Sequence, residues 1–276
     1  MSLDELTGRR YGPIQVQIHA GQVGAFVEAT GDDPDRWRSV APPSFAGALL
    51  FAVAPAFLSD PIVVRDARLI LHGEQSFTWH RPLQLDRPLL VTGSVERVRY
   101  RGGAEFITFS MEAGNDEPFV QGRSMFVVSA DSAPGVDAGE PDVAERGRNE
   151  RAVLVDHPDE RIEPLAKSAS RADLVRYAGA SHDWNSIHWD HTSAVAAGLE
   201  GVIVHGLLSA AWVTQAVTRH VPGDRPIAEA RFRFRAPLRP AVEAHVEVIE
   251  GASGQFRATL KSHTETHVVA DLTVTR

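Results

Sequence analysis

The segment EQSFTWHRPL at residues 74–83 recurs as EARFRFRAPL at residues 229–238. Glu74, Phe77, Trp79, Pro82 and Leu83 correspond to Glu229, Phe232, Phe234, Pro237 and Leu238 at a constant offset of 155. A second pair of segments lies upstream. Ala29-Thr30-Gly31-Asp32 closes one short helical pattern, and Ala180-Ser181-His182-Asp183 closes another, at an offset of 151. Two separate motifs at nearly one spacing mark an internal duplication of about 130 residues per copy. The alternation Arg231-Phe232-Arg233-Phe234-Arg235 has the two-residue period of a strand.

Both copies follow one order: a short helix, a loop, a more apolar helix, then strands. Ser170 with Asp173 forms a capping box for a helix running towards Ala180. Residues 207–221 (LLSAAWVTQAVTRHV) are apolar around most of a helical circumference, so that helix is expected to be buried. The run from Phe45 to Leu58 reads as a buried helix or core segment. Strands are expected at 74–79, 89–99, 105–112 and 119–129, then at 242–250, 255–262 and 267–275. A long buried helix against an antiparallel sheet, twice over, is an α+β arrangement, and two such sheets can pair edge to edge. Between the copies, ADSAPGVDAGEPDVAERGRNER has almost no large apolar side chains to offset its ordering entropy. The expected division is a first unit at 1–130, a linker at 131–151 and a second unit at 152–276.

Composition narrows the function. The chain has 276 residues, 43% hydrophobic and 23% charged, with a net charge of −8 and no basic run. Nucleic-acid binding is disfavoured, because phosphate neutralisation needs clustered Lys or Arg. The absence of cysteine excludes disulfides, thiolate catalysis and zinc–thiolate sites. The first fifteen residues lack the apolar core of a signal peptide, and the run at 45–58 is too short to span a bilayer and contains Pro55. A cytoplasmic protein with no membrane contact is expected.

Chemistry concentrates in YAGASHDWNSIHWD (177–190) and GLEGVIVHGL (198–207). Asp183, Asn185 and His188 fall in an irregular stretch just past a helix end, where loops hold functional side chains. A carboxylate, an amide and an imidazole close together can position and activate one water. His205-Gly206 opens the following helix and offers a free backbone N–H to a developing oxyanion. Each residue also has a plainer reading. Asp183 and Asn185 could form a turn, Gly206 could serve helix packing, and His205 reads as a structural hydrogen-bonding residue. His188, Asp190 and His191 match no established zinc spacing. Arg231, Arg233 and Arg235 read as a solvated strand face, with contact to a substrate phosphate as the alternative. His72, Glu74 and His80 read as structural.

The segment resembles the hydratase signature of the MaoC-like family, which includes (R)-specific enoyl-CoA hydratases and 3-hydroxyacyl dehydratases. It matches at Tyr177, Ala178, Ser181, Asp183, Asn185, Ile187, His188, Asp190, Gly198, His205 and Gly206. It departs at His182, where Gly is usual, at Ser186, where Pro is usual, and at Leu207, where Met is common. In the first half, Ala29–Pro34, Ala41–Phe45 and Leu71–Leu83 resemble that family's N-terminal dehydratase-like domain.

The resemblance implies a tandem, or double, hotdog. It also implies reversible hydration of trans-2-enoyl thioesters to (R)-3-hydroxyacyl thioesters, carried on CoA or on acyl-carrier protein. Asp183 and His188 would be catalytic, Asn185 supporting, and Gly206 the oxyanion-hole donor. No cofactor and no metal are implied. The first half keeps Asp32, but Pro34 replaces the Asn and Trp37 stands where the histidine would be. That half is therefore expected to shape the acyl pocket without catalysing, and a homodimer of the whole chain is expected. An acyl thioesterase and a non-catalytic acyl-binding subunit remain the alternatives. Substrate-binding residues, chain length and carrier stay open.

Overall fold

The computed structural model describes residues 3–67, 69–129, 151–154 and 162–275. The first half runs through β1 (Arg10–Gln17), α1 (Ala20–Thr30), β2 (Val40–Ala41), α2 (Ala46–Leu58) and α3 (Pro61–Asp66). It continues with β3 (Leu69–Trp79), β4 (Leu83–Gln84), β5 (Pro88–Arg101), β6 (Ala104–Gly114) and β7 (Pro118–Ser129). The second half runs β8 (Leu165–Lys167), α4 (Arg171–Ser181), α5 (His191–Ala196) and α6 (Gly206–Thr218). It closes with β9 (Ile227–Phe234), β10 (Ala244–Glu250), β11 (Gln255–Lys261) and β12 (Thr266–Val274). Apart from the short β2–β4 pair, these strands form one ten-stranded sheet in the order β1-β5-β6-β7-β3-β9-β12-β11-β10-β8.

The sheet order carries the duplication. Leaving out β2 and β4, each half has the order first, third, fourth, fifth, second, and the two second strands, β3 and β9, pair antiparallel at the centre. Their register sets Ser76 opposite Arg231. These two positions differ by the repeat offset of 155, so the local two-fold axis passes through that pair. The same junction pairs the Glu74 carboxylate with the Arg231 guanidinium through two bonds of 2.9 Å. Arg233 bonds Asp271 at 2.8 Å.

Each half wraps its sheet around one apolar helix, as expected of a tandem hotdog. Every residue of α6 from Leu207 to Thr218 is buried, because strands β9 to β12 of its own half pack on it and α1 and the turn Pro43–Phe45 of the other half cover it. In α2 the buried set includes Leu49, Leu50, Phe51, Val53 and Phe57. The expected capping box is present: Ser170 Oγ accepts from the Asp173 N–H at 3.2 Å, and Asp173 Oδ2 accepts from the Ser170 N–H at 2.9 Å.

Elements outside the sequence reading include β1, where Gly12-Pro13 interrupts the alternation, β8, only three residues long, and the short β2, β4, α3 and α5. The expected linker lies outside the described residues except for Arg151, whose guanidinium meets Glu28 at 3.2 Å. Among the described residues no helix is long and apolar enough to cross a membrane.

Candidate active site

Helix α4 ends by turning left-handed at His182 (φ 62°), as α1 ends at Gly31 (φ 64°). The duplicated aspartates therefore follow equivalent helix ends. His182 adopts a conformation that glycine takes more easily, and its Nε2 lies 3.2 Å from the Gln22 amide nitrogen of the first half. Past that cap, Asn185 accepts from the Ile187 N–H and starts a single 3-10 turn, Ser186–His188. Ser186 fills the first position of this turn. Proline suits such a position because its N–H is not needed there, so the serine preserves the turn.

The turn carries His188 inward, opposite Asp183, and both are buried. His188 Nδ1 lies 2.8 Å from the Ile203 carbonyl, which can only accept, so Nδ1 carries the proton and Nε2 keeps its lone pair. Burial lowers the His188 pKa to about 4, opposed by that same bond. Burial also raises the Asp183 pKa to about 7, opposed by the N–H of Asn185. Near neutrality a neutral imidazole thus faces a carboxyl group that still holds its proton much of the time. Their ligating atoms lie within 4.8 Å of one another, a gap that one oxygen atom can bridge with two hydrogen bonds.

His205 completes the cluster. Its ring stacks on His188 with centroids 3.9 Å apart and planes 25° apart. Its Nε2 donates to the Asp183 main-chain carbonyl at 3.2 Å, and burial holds its pKa well below the ordinary histidine value. Asp183, His188 and His205 are close enough to suggest a metal centre. The stacking argues against one. Imidazole lone pairs lie in the ring plane, and two nearly parallel planes 3.9 Å apart do not converge on a point about 2.0–2.1 Å from both nitrogens.

Gly206 is the first residue of α6, so its N–H has no carbonyl within the helix. A Cβ there would lie 3.3 Å from the Phe234 ring, so the glycine also serves close packing. The residue lines the same cavity as Asp183, Asn185 and His188.

That cavity, of about 260 Å³, has walls from both halves. The first half contributes Phe51, Ile70, His72 and Phe126, and the second Ile203, Leu207, Phe234 and Leu238. A second cavity of about 700 Å³ adjoins it and shares Phe51, Leu58, Ile70, Asn185 and Ile187. His72, expected to be structural, bonds the Gln75 side chain and also lines the catalytic cavity. A bulge at Gly73 shifts the strand register between His72 and Glu74. Before it Ile70, Leu71 and His72 all line the cavity; after it Gln75, Phe77 and Trp79 are the buried positions. Ser124 and His72 share the Gln75 carbonyl oxygen, at 2.6 and 3.1 Å.

The equivalent place in the first half is built differently. Asp32 is buried, and Trp37 fills the position of the histidine. The buried Lys167 ammonium reaches the Gly31 carbonyl at 3.0 Å, and Arg36 donates to the carbonyls of Thr218 and Val221. Burial raises the Asp32 carboxyl, opposed first by the N–H of Asp33. Among the described residues there is a carboxyl group here but no imidazole beside it.

Two long helices, each wrapped by its own half of one continuous sheet, with a single Asp–His pair, define a double-hotdog protein with one candidate site. The second half carries a MaoC-like domain: residues 153–271 match the family described as MaoC like domain. Residues 5–118 match the FAS1-like dehydratase domain region. A "UPF0336 protein" of Saccharopolyspora erythraea is 30% identical over 156 residues, half of this chain and all of that one. The 3-hydroxyacyl-thioester dehydratase X of Mycobacterium tuberculosis is 25% identical over 253 residues, 91% of this chain and 84% of that one. A solved MaoC-like dehydratase superposes with a TM-score of 0.78 at 21% identity, covering 99% of both chains.

Proposed function

We propose that the chain reversibly hydrates trans-2-enoyl thioesters and dehydrates (R)-3-hydroxyacyl thioesters, as a hydro-lyase that needs no cofactor. The observation that carries this reading is the pairing of a neutral His188, pinned through Nδ1, with a carboxyl of Asp183 raised to about 7. Elimination of water needs one base and one acid together, and this pair supplies both near neutrality.

In the dehydration direction, His188 Nε2 takes the proton α to the thioester, and the electron pair moves onto the thioester oxygen. The Gly206 N–H, at the positive end of α6, stabilises that oxyanion. Collapse of the enolate forms the double bond and expels the hydroxyl, which takes the Asp183 proton and leaves as water. Asn185 holds the turn that aims His188. The (R) configuration is what the family resemblance implies.

The two adjoining cavities support an acyl chain that passes the Asp183–His188 pair and continues between α2 and the Ser186–Ile187 turn. In this reading the first half shapes the tail site, and chain-length preference is set there. The domain roles follow: residues 1–130 as the non-catalytic hotdog, 131–151 as linker, 152–276 as the catalytic hotdog.

The test is spectrophotometric. Purified protein consumes the enoyl chromophore of a short trans-2-enoyl-CoA, and His188→Ala and Asp183→Ala each abolish the loss. Full activity in both variants sinks the assignment. Release of free thiol with the enoyl group intact would instead identify a thioesterase. A series of enoyl-CoAs of increasing length then reads the size of the tail site.

A further inference from the structure

Two stretches of the catalytic cavity wall differ in chemistry. One opens into the second cavity across Phe51, Leu58 and Ile70, all apolar. Residues 234–238 with His267 and Val268 line the catalytic cavity but not the second one. Arg235 is among them. It follows the last residue of β9, with its N–H bonded to the His267 carbonyl at 2.8 Å and its side chain exposed.

Arg235 differs from the arginines that precede it. Arg231 is held by both oxygens of Glu74, and Arg233 by Asp271. Among the described residues no carboxylate or carbonyl partners the Arg235 guanidinium, and it is the one Lys or Arg among the residues lining this cavity. An unpaired guanidinium, with donors in a planar fork, is suited to two oxygens of one phosphate. The acyl tail has an apolar exit through the second cavity, so the polar arm of a thioester substrate belongs with Arg235.

We infer that Arg235 binds a phosphate of the arm that carries the acyl thioester. The inference rests on the thioester reading above. CoA and acyl-carrier proteins share a phosphopantetheine arm, so the ligand chemistry is a phosphate monoester or diester on that arm, with the adenosine phosphates of CoA as the second source.

The experiment compares one acyl group, trans-2-butenoyl, on pantetheine, on 4′-phosphopantetheine and on CoA, using wild type, Arg235→Gln and Arg235→Lys. Expected is a KM raised about tenfold or more in Arg235→Gln for phosphate-bearing thioesters, with kcat little changed, from loss of a charge-assisted bond. The pantetheine thioester should show no change, and Arg235→Lys should recover part of the loss. A loss with phosphopantetheine and CoA alike assigns the shared phosphate, and a loss with CoA alone assigns the adenosine phosphates. An equal loss with pantetheine, or no loss with any substrate, overturns the inference. If wild type turns over none of the three, the hydratase reading fails. Calorimetric affinities of wild type and Arg235→Gln for butenoyl-CoA and butenoyl-pantetheine then read the phosphate contact without turnover, and equal changes for both ligands again overturn it.

Discussion

His188 and His205 stack face to face at 3.9 Å, and each ring is tied to a main-chain carbonyl, His188 to Ile203 and His205 to Asp183. The second histidine thus touches both members of the proposed pair, one through its ring face and the other through its backbone. His205→Phe keeps a ring for stacking but leaves the buried Asp183 carbonyl without its donor. Such an orphaned group costs about 1–3 kcal/mol, so a lower denaturant midpoint is expected. The turn carrying Asp183 also loosens, so kcat should fall about tenfold or more with KM less affected. Unchanged kcat and unchanged stability together would show that the contact is incidental.

The pH profile follows from the two shifted groups. The base form of His188 is lost as pH falls through about 4, and the acid form of Asp183 is lost as pH rises through about 7. In the dehydration direction kcat/KM should therefore be bell-shaped with limbs near these values. An unperturbed histidine and aspartate would titrate at about 6.5 and 3.9, with the opposite order. Steady-state rates on a 3-hydroxyacyl-CoA across this range decide it. A rate still rising at pH 9 is incompatible with a protonated Asp183 as the acid.

Stability should depend on the same carboxyl. Its folded-state pKa is raised above the unfolded value, so its neutral form is favoured by folding. That contribution is whole below pH ~4 and is lost as pH rises through about 7. At about 1.4 kcal/mol per pKa unit, burying the ionised form costs several kcal/mol. Asp183→Asn removes this cost, so the variant should be more stable than wild type at pH 8 and little different at pH 4. Thermal melting at both values reads it. An equal Tm difference at both would remove ionisation as the cause.

These predictions rest on residues of unequal legibility. Asp183, Asn185 and His188 lie within six positions in the sequence, and one turn brings them together, so the spacing alone carries their proximity. The duplication made an edge-to-edge pairing of two sheets legible, but which strands meet, and Ser76 opposite Arg231, came only from the fold. The place of His72 on the cavity was hidden because Gly73 inserts a bulge that shifts the register. A Cβ at Gly73 would lie 2.9 Å from the Met125 side chain, a close approach that no local pattern announces. The contrast between the paired Arg231 and Arg233 and the unpaired Arg235 depends on Glu74 and Asp271, which arrive from other strands. The second cavity needs α2 and α3 beside a turn more than 100 residues away.

The first half gives the sharpest control. Asp32 and Asp183 occupy equivalent helix ends, both buried, both with carboxyls raised by burial. Only Asp183 has an imidazole opposite it; beside Asp32 stand Trp37 and the buried Lys167. If the chemistry needs acid and base together, Asp32→Asn should leave kcat/KM within about twofold of wild type while Asp183→Asn removes most of it. The Asp32 change should act on stability instead. The Asp32 carboxyl is raised by burial, as that of Asp183 is, so removing it should raise the denaturation midpoint more at alkaline than at acid pH. Kinetics and chemical denaturation of the two variants side by side separate the roles. A matching loss of activity in both would mean that the halves share the chemistry, and the single-site reading would be abandoned.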